Sequence, residues 1–65
     1  MRDLMLEALR AKYEGQIQEA RANIEVYLNN PAGIGEHSDV MEAIDCQMAK
    51  LTEAVEKKDM LVWFD

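Results

Sequence analysis

Two stretches of the chain carry apolar side chains in steps of three and four. In the first, Leu6, Leu9, Tyr13, Ile17, Ala20, Ile24 and Tyr27 recur at that spacing. Such spacing stacks them on one side of an α-helix, and it predicts a helix over about 3–28. In the second, Met41, Ile44, Met48, Leu51, Val55, Lys58 and Val62 alternate the same way, with Val40 and Ala54 widening the stripe. This predicts a helix over about 39–61. Lys58 is the one charged member; a lysine can lay its stem along a seam and keep its ammonium in water. Glu53 and Lys57 stand in the favoured i, i+4 order on the outer face, and Lys57 and Lys58 lie near the negative helix end.

Between the stripes lies a loop over about 29–38. It holds the only proline and two of the three glycines. Asn29 or Asn30 can close the first helix in a left-handed conformation, and Pro31 disfavours helical geometry in Asn30. Gly33 and Gly35 permit positive φ on either side of Ile34, whose apolar side chain is expected to plug the end of the helix pair. Ser38 or Asp39 is expected to cap the second helix; Asp39 with Glu42 has capping-box spacing. The expected fold is all-α: a single domain over 1–65, a two-helix antiparallel hairpin.

A hairpin of two helices shares one seam and leaves the back of each helix wet. A chain of 65 residues buries little core, so small domains of this size often rely on disulfides, a metal or oligomerisation. Cys46 is the only cysteine, which excludes an internal disulfide and fits a reducing, cytoplasmic setting. The expected remedy is a homodimer forming a four-helix bundle, with a higher even oligomer as the next choice.

Two surfaces are candidates for that contact or for a different protein partner. Leu4, Ala8, Ala11, Gly15, Ala22 and Val26 cluster on the side of the first helix opposite its seam. Small residues let another helix approach closely, although alanines also serve helix propensity alone. The second surface is the open end of the hairpin, where Met5 meets Met60, Trp63 and Phe64. Met41 and Met48 are assigned to the seam, as fillers of irregular gaps.

Charge narrows the partners. The formal net charge is −6, and the seven basic residues form no stripe. That balance argues against nucleic acid and against anionic membrane surfaces. No apolar run reaches membrane-spanning length.

Candidate chemistry is sparse. Glu36, His37, Asp39, Glu42 and Asp45 could group around a divalent ion, but they straddle a loop and a helix start, where acids are favoured in any case. Gly33-Ile34-Gly35 before a helix is a weak anion-loop signal, because no lysine follows and Glu36 and Asp39 repel phosphate. Cys46 lies more than two helical turns from His37, without a base in reach. No catalytic, cofactor-binding or metal-binding residue is assigned, and the expected protein is non-enzymatic.

The segment Val26-Tyr27-Leu28-Asn29-Asn30-Pro31-Ala32-Gly33-Ile34-Gly35-Glu36-His37-Ser38-Asp39-Val40-Met41-Glu42-Ala43-Ile44 resembles a segment of small uncharacterised proteins of marine tailed phages, including myoviruses of cyanobacteria. The resemblance implies a phage gene expressed in a bacterial host cytoplasm. It implies no activity and carries over no functional residue. The architecture is also similar to small plasmid RNA-regulatory hairpin dimers, without a matching motif. Two other readings follow from the residues: a nucleic-acid regulator acting as a hairpin dimer, and a metal-dependent module at Glu36, His37 and Asp39.

Overall fold

The computed structural model describes residues 1–29 and 37–65. The fold is all-α, a two-helix hairpin: α1 (Arg2–Asn29), α2 (His37–Met60) and a terminal 3₁₀ turn, Leu61–Phe64. The expectations for Asn30, Pro31, Gly33, Ile34, Gly35 and Glu36 lie outside the described residues. Ser38 and Asp39 fall inside the first turn of α2, which begins at His37 rather than after a cap at either position. At the C-terminal end of α1, the Asn29 side-chain amide donates to the Glu25 carbonyl at 2.7 Å, a second donor to a carbonyl of the last turns.

The α1 seam lies where its spacing puts it. Ala20 and Ile24 are buried, and Leu6, Tyr13, Ile17 and Tyr27 are half-buried, while Leu9, the remaining member of the expected seam, is exposed at 37%. The α2 seam differs from the expected one. Val40, Ala54 and Leu61 are its buried residues, with Ala43, Ile44, Gln47, Leu51 and Lys58 half-buried beside them, so Val40, Ile44, Leu51, Ala54 and Lys58 of the expected stripe lie along it. Met41, Met48, Val55 and Val62 are exposed instead, Met41 at 73% and Val62 at 70%. The seam therefore runs through 40, 47, 54 and 61, one residue before the column of larger side chains.

Packing accounts for the shift. Ala20 and Ala54 are the two most buried of the described residues, each 2% exposed, and both line one cleft between the helices. A methyl side chain on each helix lets the backbones come close, and close approach yields dispersion contacts. A seam centred on Met48 and Val55 would hold the helices further apart. Lys58, on the edge of the seam, does not leave its ammonium to water alone: Nζ donates to Glu14 Oε2 at 2.6 Å.

The core is thin. Among the described residues no side chain is wholly buried. The molecule measures 48 × 15 × 12 Å with a radius of gyration of 15.0 Å, against about 11 Å for a compact globule of this length.

Candidate interaction surface

The hairpin's open end is tied together by its termini. Arg2 donates to the Phe64 carbonyl, and Arg10 pairs with Asp65 at 3.3 Å. These contacts join residues more than fifty positions apart and carry no periodic signal. Turning 61–64 into a 3₁₀ segment tightens the chain and buries Leu61, while Val62, Trp63 and Phe64 remain exposed.

A groove of about 670 Å³ opens beside this end. Met5, Leu6, Leu9 and Tyr13 line it from α1, and Met60, Leu61 and Phe64 from the C-terminal segment, with Arg2 and Lys57 completing the wall. Met5, Met60 and Phe64 are thus brought together. Trp63, at 75% exposure, does not line that groove. Lys57 sits 5.9 Å from the centroid of the Tyr13 ring and bonds Glu53 at 2.7 Å. The Glu53 hydrogen bond and charge raise the Lys57 pKa, and Lys57 lowers that of Glu53 in return.

The small-residue strip lies on the other side of the molecule. Leu4, Ala8, Ala11, Gly15, Ala22 and Val26 are all exposed on α1. A Cβ added at Gly15 would meet nothing within 4 Å.

Chemistry remains sparse on the described surface. The Lys58 hydrogen bond, helped by one from Gln18, holds the Glu14 carboxyl below the ordinary carboxylate range. Cys46 is a free, exposed thiol. Among the described residues, no three His, Cys, Asp or Glu side chains gather as metal ligands; Glu36 lies outside those residues. No helix among the described residues is long and apolar enough to cross a membrane. Comparison of the chain with family models, curated proteins and solved structures finds no match.

Proposed function

We propose that this chain is a non-enzymatic helical-hairpin protein that associates with itself, as a homodimer first and a higher even oligomer next, and serves as a protein-interaction module. The observation that carries this reading is the imbalance between core and surface. Among the described residues, five buried apolar residues form the core, while thirteen large apolar residues are exposed to 37% or more. Exposed apolar surface on this scale is characteristic of contact surfaces. The similarity of the Val26–Ile44 segment to small marine phage proteins supports a place among phage accessory proteins, acting in a bacterial host cytoplasm. The open-end groove, with Met5, Met60 and Phe64, is the surface offered to a different protein.

Thermal unfolding at a series of protein concentrations tests the reading. An associating protein melts at higher temperature as concentration rises, by mass action. A melting temperature that stays constant over a hundredfold range of about 1–100 μM contradicts it, because a dimer of micromolar affinity must respond across that range.

A further inference from the structure

We infer that the uncovered flank of α2 is the surface on which a second copy of this chain docks, face to face, to close a four-helix bundle. The inference rests on the self-association proposed above and assigns it a surface.

The two flanks of the hairpin differ in kind. Along one, Gln16, Glu19, Asn23, Gln47, Lys50 and Glu53 line a polar cleft, bridged by an Asn23–Gln47 hydrogen bond of 3.2 Å. Along the other, Met41, Met48, Val55 and Val62 follow at seven-residue intervals. Ile44 and Leu51, three residues after Met41 and Met48, are half-buried behind them. Together these make the a/d pattern with which one helix packs against others. The hairpin's own α1 does not cover this column: Met48 is 46% exposed and Val55 38%, even at the middle of the helix.

The surplus exposure of the whole chain and the length of the column both match a second copy. A compact monomer of 7.4 kDa exposes about 4,200 Å² by the usual scaling with mass. This chain exposes 5122 Å², an excess of about 900 Å² over that scaling. A standard interface covers about 800 Å² on each partner. The column from residue 41 to 62 is about 30 Å long at 1.5 Å per residue. A second hairpin presents a face of the same length and the same apolar character, and an isologous contact sets the one against the other. A short peptide would cover a few turns and leave the rest wet.

Sedimentation equilibrium of the full chain, with circular dichroism to follow helicity, tests the surface. Wild type is expected as a dimer. Met48→Glu and Val55→Glu are each expected to weaken association by about a hundredfold or more, since each places two unpaired carboxylates in the interface, with helicity kept. Glu19→Lys, in the polar cleft on the opposite flank, is expected to leave the dimer intact. Should the glutamate variants lose helicity, Met48→Gln replaces them, with an expected loss of about tenfold. A dimeric wild type whose folded α2 variants remain equally dimeric overturns the surface and leaves self-association standing. A wild type that is monomeric at every concentration overturns both.

Discussion

Gly15 and Lys58 are the residues whose local chemistry is most at odds with their setting. Glycine inside a helix is less favourable than alanine by about 1 kcal/mol. Gly15 sits in the interior of α1 with open space where its Cβ would be. Gly15→Ala is therefore expected to raise the melting temperature by about 4–8 °C, the shift that about 1 kcal/mol produces in a small domain. A fall measured by differential scanning calorimetry would mean that a partner helix already lies against the strip. Lys58 puts a charge at the edge of an apolar seam and meets Glu14 there. The Glu14 carboxyl is lowered in the folded state by that hydrogen bond, so its contribution is present above the ordinary carboxylate range. It is lost as pH falls through the folded-state pKa. Lys58→Met keeps the stem and removes the pairing. The variant is expected to melt within a few degrees of wild type at neutral pH, because solvent screening leaves an exposed ion pair little net effect on stability. Its melting temperature should also fall less steeply between about pH 5 and pH 3. An unchanged acid slope in a pH series of melts would contradict the role given to the pair.

At the scale of the helix, the existence of both elements and the seam of α1 were legible from spacing alone. In α1 the buried and half-buried apolar residues, Leu6, Tyr13, Ile17, Ala20, Ile24 and Tyr27, all belong to the expected stripe, so its spacing points the right way. In α2 they separate. Ala54 is small and contributes little to any apolar pattern, yet it lies between the helices; Val55 is conspicuous and lies beside them. Periodicity locates an apolar arc of a helix and does not say which part of that arc meets the neighbour. The volume of the facing residue decides this, here Ala20. Two substitutions separate the registers. Ala54→Leu is expected to destabilise by about 1–3 kcal/mol through overpacking, whereas a seam centred on Val55 would accept it. Ile24→Ala, at a buried position, is expected to lose about 2–5 kcal/mol, much of the stability available to a domain this small. Urea denaturation reads both. The ties of Arg2 to Phe64 and Arg10 to Asp65 were not legible, because single long-range polar contacts leave no trace in a repeating pattern.

For the whole molecule, the same rotation of α2 that closes the hairpin leaves its larger side chains outside. A seam with Ala20 and Ala54 at its middle and Ile24, Val40 and Leu61 along it gives the two helices a thin core, and the apolar surface left outside is the one proposed for assembly. The interface residues named from sequence, Leu4, Met5, Ala8, Ala11, Gly15, Ala22, Met60, Trp63 and Phe64, are exposed. Those of the open end are partly gathered around one groove. Spacing alone places Met41, Met48, Val55 and Val62 in the seam, and their exposure appears only once α2 is set against α1. The mass of the chain in solution bears on all of this most directly. Multi-angle light scattering across a concentration range should return about 15 kDa, twice the chain mass of 7.4 kDa, down to low micromolar protein for an interface of standard size. A mass of 7.4 kDa at every concentration, from a chain that is fully helical and melts cooperatively, would mean that the thin core suffices by itself and that the exposed α2 column is not a surface for self-association.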